Sequence, residues 1–158
     1  MSKEWSSFRI TLLLYILVLL LPLSFYFVYT SFKTIQSDTR NVHQTAWITG
    51  AFESVRLAAD KKDREHKITQ IDTALTDISH WVEKNNRSDL YIGFKSLSED
   101  YTQVNRCWNN YKEVISAQQS MESDKALQCR ENANYLAIIV EKMVYLKQKK
   151  IINLIYIY

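Results

Sequence analysis

No charged side chain occurs between residues 10 and 32, and no proline occurs after residue 32. The first fact fits a helix in lipid: Ile10 to Tyr29 approaches the roughly 20 apolar residues that a hydrocarbon core demands. Arg9 and Lys33 flank it in polar territory. The second fact leaves the remainder almost nothing to break a helix, since the chain holds only two glycines and its single proline is Pro22. A further apolar run, Ile151 to Tyr158, follows Lys147, Lys149 and Lys150 and is too short to span a bilayer. The expected organisation is a cytoplasmic N-terminus (1–9), a transmembrane helix (10–30), a helical domain (31–150) and the start of a second transmembrane helix (151–158).

A secretory signal peptide competes for the first segment. Its apolar region would be about 7 to 15 residues, ending at a small-residue cleavage site. Ser24-Phe25-Tyr26-Phe27-Val28-Tyr29 offers no such site, so the segment reads as uncleaved. Pro22 is tolerable in a membrane helix, and the aromatics at 25–29 suit an interface. Lys147, Lys149 and Lys150 read as headgroup anchors in contact with membrane lipid. Counted naively, positive charge would hold the domain inside. The charge rule, however, governs loops of up to about 60 residues, and the stretch 31–150 exceeds that. The domain is therefore expected outside the cytoplasm. A net charge of +3, with both signs interleaved, gives no basic face for nucleic acid.

Apolar residues then recur at helical spacing. Leu90, Phe94, Leu97, Tyr101, Val104, Trp108, Tyr111 and Ile115 alternate steps of four and three. Ile68, Ile71, Leu75, Ile78 and Val82 form an earlier stripe, and Ala126, Cys129, Ala133, Leu136, Val140 and Met143 a later one. The segment leaving the membrane, about 31–60, carries Ile48, Phe52, Val55 and Ala59. Turn chemistry separates the stripes at Asp60-Lys61-Lys62-Asp63, at residues 84–89 with Ser88 as a cap, and at 117–123 with Ser120 or Ser123 as caps. Short connections favour antiparallel neighbours. The expected fold is all-α, an antiparallel up-down-up-down four-helix bundle.

Cys107 and Cys129 are equidistant from residue 118, inside the expected turn, so an antiparallel hairpin sets them at one height. A disulfide fits that geometry, as do two ordinary buried thiols. Their spacing matches no zinc pattern. His43, His66 and His80 are scattered without partners for a metal. No phosphate loop, nucleophile elbow or kinase signature occurs. No cofactor, metal or catalytic residue is expected, and the chain does not read as an enzyme.

Asn41 to Ala59 reads NVHQTAWITGAFESVRLAA, and Trp108-Asn109-Asn110-Tyr111 follows on the third helix. Gly50, the Ser54-x-Arg56-Leu57 piece and the Trp-x-x-Tyr pair resemble the extracytoplasmic sensor domains of nitrate/nitrite-responsive histidine kinases. They are similar also to the N-terminal domain of type IV pilus methyl-accepting chemotaxis transducers. The resemblance implies the input domain of a two-component or chemotaxis-type protein in a bacterial inner membrane, with its helical domain in the periplasm. It further implies a homodimer whose first helices grip a small anion, which makes Arg56, with Thr49 and Gly50, the candidate ligand-binding set. Guanidinium forks suit planar oxyanions. The residues themselves allow another account, in which Arg56 neutralises Glu53 and Asp60 on a solvated stripe shared with Thr49. A ligand-free, membrane-anchored interaction protein is the competing function.

Overall fold

The computed structural model describes residues 2–85, 97–117 and 122–156. These form four helices, with no strand among the described residues: α1 (Ser2–Arg56), α2 (Lys61–Asn85), α3 (Leu97–Ser116) and α4 (Glu122–Tyr156). Leu90, Phe94, Ser88 and Ser120 lie outside the described residues. The chain divides into two compact units, Met1–Ser37 and Asp38–Tyr158.

The first unit is the leading part of α1, and it is long and apolar enough to cross a membrane. No large apolar side chain from Leu12 to Tyr29 is less than 45 % exposed, so this stretch is not buried within the chain. Two of its hydroxyls bond back to the helix. Ser24 Oγ donates to the Leu21 carbonyl (2.8 Å) and Thr30 Oγ1 to the Tyr26 carbonyl (3.0 Å), which would lower the cost of placing these donors in an apolar medium. Pro22 lies inside the helix without ending it. The Lys33 ammonium sits over the Tyr29 ring, 4.8 Å from its centroid.

The second unit holds the core. The heptad stripes supply it: Ile48, Phe52 and Val55 from α1, Ile71 to Val82 from α2, Leu97 to Ile115 from α3, and Ala126 to Met143 from α4. Phe52 and Trp108 are both without exposure, and their rings pack at 5.4 Å. Tyr111 meets Trp108 edge-on at 5.8 Å, and its hydroxyl donates to the Phe52 carbonyl (3.4 Å). Such aromatic pairs contribute about 1 kcal/mol beyond area burial.

Three expectations need correction. The first domain helix ends at Arg56 rather than Asp60, and Ala59 is exposed in the turn instead of buried in the core. The reason is a reciprocal cap. Asp60 Oδ1 accepts the Asp63 N–H (2.8 Å), while Asp63 Oδ2 accepts the Ala59 N–H (3.2 Å). Asp60 can cap α2 only from outside it, so α1 must already have stopped. The Asp63 carboxyl is held below the usual carboxylate range by the Lys67 ammonium and then by that Ala59 N–H. Likewise Ser123 does not cap α4, because the helix begins at Glu122.

Cys107 and Cys129 are joined by a disulfide, with Cα atoms 5.5 Å apart. The bridge ties α3 to α4 across a sequence separation of 22 residues. Closing a loop of that size in the unfolded chain stabilises the fold by about 3 kcal/mol. Cys107→Ala with Cys129→Ala should therefore lower the urea midpoint by that equivalent. An unchanged midpoint would mean that the bridge contributes nothing to stability.

Candidate functional site

Arg56 ends α1 with its side chain 35 % exposed, and Glu53, one turn earlier, engages it. Arg56 Nε donates to Glu53 Oε1 at 2.8 Å, and Nη2 reaches the same oxygen. This hydrogen bond, and next the Glu53 charge, hold the guanidinium above its ordinary pKa. Asp60, the other acid expected to face Arg56, is occupied in capping α2. Thr49 donates its hydroxyl to the Ala46 carbonyl (2.6 Å). Gly50 is exposed, and a Cβ there would meet nothing within 4 Å, so no packing inside this chain demands a glycine. Thr49 and Arg56, two turns apart, share a face of α1, but each is already engaged within its own helix. An anion arriving at Arg56 must compete with Glu53.

Charges of both signs surround the nearby Tyr111. Burial raises its phenol to about 12, and the carboxylates of Glu122 and Glu53 push in the same direction against Arg64 and Arg56. Arg64 and Glu122 pair at 3.8 Å, linking α2 to α4. Among the described residues no group of three or more His, Cys, Asp or Glu side chains is placed to hold a metal.

A second constellation escaped the motif reading. Asp38 is only 3 % exposed, yet it carries a carboxylate. The Trp81 indole N–H donates to Oδ1 (2.9 Å), and Lys147 Nζ lies 2.8 Å from Oδ2. Lys147 also donates to Asn85 Oδ1 (3.2 Å), and Asn85 Nδ2 donates to the Trp81 carbonyl (2.7 Å). Helices α1, α2 and α4 thus meet on one carboxylate. Lys147 is therefore not a headgroup anchor. Its ammonium turns inward, because Asp38 would otherwise be an uncompensated charge in the interior.

The same construction recurs nearer the surface. The Trp108 indole N–H donates to Asp72 Oδ1 (2.7 Å), Lys112 donates to the same oxygen (2.8 Å), and the Lys112 ammonium lies 5.5 Å from the Trp108 ring centroid. In each case a buried indole needs an acceptor, and a carboxylate so used needs a cation. Asp77 likewise receives Arg40 and Gln44, the latter at 2.8 Å.

A sequence signal for the deep site did exist. The α1 stripe Ile48, Phe52, Val55 extends backwards in unbroken register through Thr45 and Asn41 to Asp38, and all three polar residues are buried. The α4 stripe extends forwards from Met143 to Lys147 by the same rule. Polar residues on a core stripe demand partners.

No family model, curated protein or solved structure matches the chain. The likeness to sensor domains rests on the residue motifs alone.

Two outcomes are expected. Lys147→Met should cost about 3 kcal/mol, the low end for breaking a buried pair because Lys147 keeps 24 % of its side chain exposed. Adding Asp38→Leu should recover part of that loss in thermal melts, and strict additivity would contradict the coupling. For Tyr111, a raised folded pKa means that its contribution is complete below pH about 10 and is lost as pH rises toward about 12. The stability gap between wild type and Tyr111→Phe should be flat below that window and narrow within it. A gap that widens with pH would reverse the assignment.

Proposed function

We propose that the chain is a membrane-anchored input domain of a bacterial signalling protein, held in the inner membrane by α1 with its helical unit in the periplasm. The single observation that carries the reading is α1 itself. One helix, Ser2–Arg56, includes both an exposed apolar stretch and the core stripe Ile48, Phe52 and Val55. The disulfide suits an oxidising compartment. The reading takes the bundle as up-down-up-down. Support comes from partners whose numbers fall as α1 rises, Asp38 with Trp81 and Gln44 with Asp77. Leu75 with Tyr101 and Asp72 with Lys112 continue the trend between α2 and α3.

In such a domain a ligand acts by favouring one packing over another, and the shift is limited by its difference in affinity between the two. The small-anion version draws least support, since Arg56 already has Glu53. The domain performs no chemistry of its own in this reading. A membrane-anchored interaction protein is the second reading, favoured by the exposed Tyr135, Ile138 and Tyr145 on α4.

Thermal melts of the full chain in detergent, with nitrate, nitrite, phosphate and a panel of amino acids, separate the two. A ligand at 100 times its Kd stabilises the native state by about 2.7 kcal/mol. The sensor reading expects one compound to raise Tm, and Arg56→Ala to abolish the rise only if the ligand is the anion. No rise with any compound, together with a partner that co-purifies in stoichiometric amount, would replace it with the second reading.

A further inference from the structure

A cleft of about 370 Å³ runs between α2 and α3, within the size range of small-molecule sites. Leu75, 3 % exposed, lines it beside Tyr101, whose hydroxyl donates to the Leu75 carbonyl (3.0 Å) and ties the ring across the two helices. The rest of the lining is polar. Thr76 and Ser79 come from α2, and Asn105 and Asn109, one turn apart, come from α3. Both asparagines lie well inside α3, where this side chain is a poor helix former. Neither amide has a hydrogen-bond partner among the described residues, although Asn105 is half-buried. Packing within the chain gives them no task.

Charge narrows what the cleft can hold. Its lining has one carboxylate and one ammonium, Asp72 and Lys112, and these already pair at 2.8 Å. An anion entering there meets Asp72, a cation meets Lys112, and a zwitterion gains only by breaking the pair. The bonds that Asp72 receives from Trp108 and Lys112 both end on Oδ1, which leaves Oδ2 as an acceptor. Each asparagine amide offers a donor and an acceptor together, as does each hydroxyl of a sugar. Two amides a turn apart, the Ser79 hydroxyl and Asp72 Oδ2 therefore match a set of neighbouring hydroxyls. The Tyr101 ring and Leu75 suit the apolar C–H face of a sugar ring.

We infer that the cleft between α2 and α3 binds a neutral monosaccharide or cyclic polyol, held by Asn105, Asn109, Ser79 and Asp72 Oδ2. Nothing in its lining comes from α1, so it is separate from the Arg56 set. The site supplies the ligand that the sensor reading requires, and it rests on that reading for its consequence though not for its binding. Asp72 also seats the Trp108 indole, whose ring packs on Phe52 of α1. An occupant at Oδ2 thus touches the same carboxylate that joins the cleft to the helix entering the membrane segment.

Isothermal titration calorimetry of the full chain tests it, in a polyoxyethylene detergent because that headgroup carries no sugar. The probes are D-glucose, D-galactose, D-ribose and myo-inositol. At least one should bind once per chain with a Kd below about 1 mM. Its affinity should change less than about twofold between about 20 and about 500 mM sodium chloride, since no ion pair is exchanged. Asn105→Ala with Asn109→Ala should weaken binding at least about tenfold. Alanine favours the helix, so without sugar this variant should melt no lower than wild type, which separates lost binding from lost fold. No heat with any probe, an affinity that falls steeply with salt, or unchanged binding in the variant would each overturn the inference. A Tm raised by an anion or amino acid while no sugar binds overturns it and keeps the sensor reading. Sugar binding by a chain that also retains a stoichiometric partner, with no change in that partner's affinity, upholds the site and removes the sensor reading.

Discussion

Phe52 is the point at which α1 is bound to its neighbours, and it is bound by aromatic reach. Its ring has no exposure, Trp108 packs on it at 5.4 Å, and Tyr111 donates to its carbonyl. Burying a phenylalanine side chain contributes about 2 to 3 kcal/mol. The Trp108 contact adds about 1 kcal/mol. The disulfide secures α3 and α4 independently, but α1 has no covalent tie to them. Its place depends on side chains long enough to cross the gap between helix axes: Phe52 and Trp108 in the core, and Trp81 with Lys147 around Asp38.

The polar interior follows from that use of tryptophan. An indole deep in a core must place its N–H somewhere, and here both buried indoles choose a carboxylate on another helix. A carboxylate with a single neutral donor would remain a costly charge, and a lysine from a third position completes each site. Buried ion pairs add little net stability compared with apolar replacements, but losing one partner is expensive. What such a pair supplies best is register. Asp38 can satisfy Trp81 and Lys147 together only when α1, α2 and α4 stand in one axial alignment, so the pair resists a slip that apolar stripes alone would tolerate.

Much of the fold was legible in the heptad pattern. Every described residue of the α2, α3 and α4 stripes is buried or packs against the core, because spacing alone decides which side of a helix lacks water. The end of α1 was misplaced, since periodicity ran on to Ala59 and could not weigh the cap at Asp60 against one more turn. Lys147 was misjudged for a related reason: beside Lys149 and Lys150 it reads as part of a basic cluster, whereas its register continues the core stripe. Asp38 lies 43 residues from Trp81 and 109 from Lys147, separations that no local motif spans. The candidate set Arg56, Thr49 and Gly50 came from resemblance. The geometry gives two of the three local partners and leaves Gly50 bare.

The central claim is that the Asp38–Arg56 part of α1 is an integral member of the bundle rather than a helix lying loosely beside a disulfide-clamped hairpin. Native-state hydrogen exchange of the full chain addresses this most directly. Amides of residues 45–55 should exchange only through global opening, with protection equal to that of residues 104–111 in α3. Protection orders of magnitude lower in α1, at unchanged protection in α3 and α4, would contradict the account.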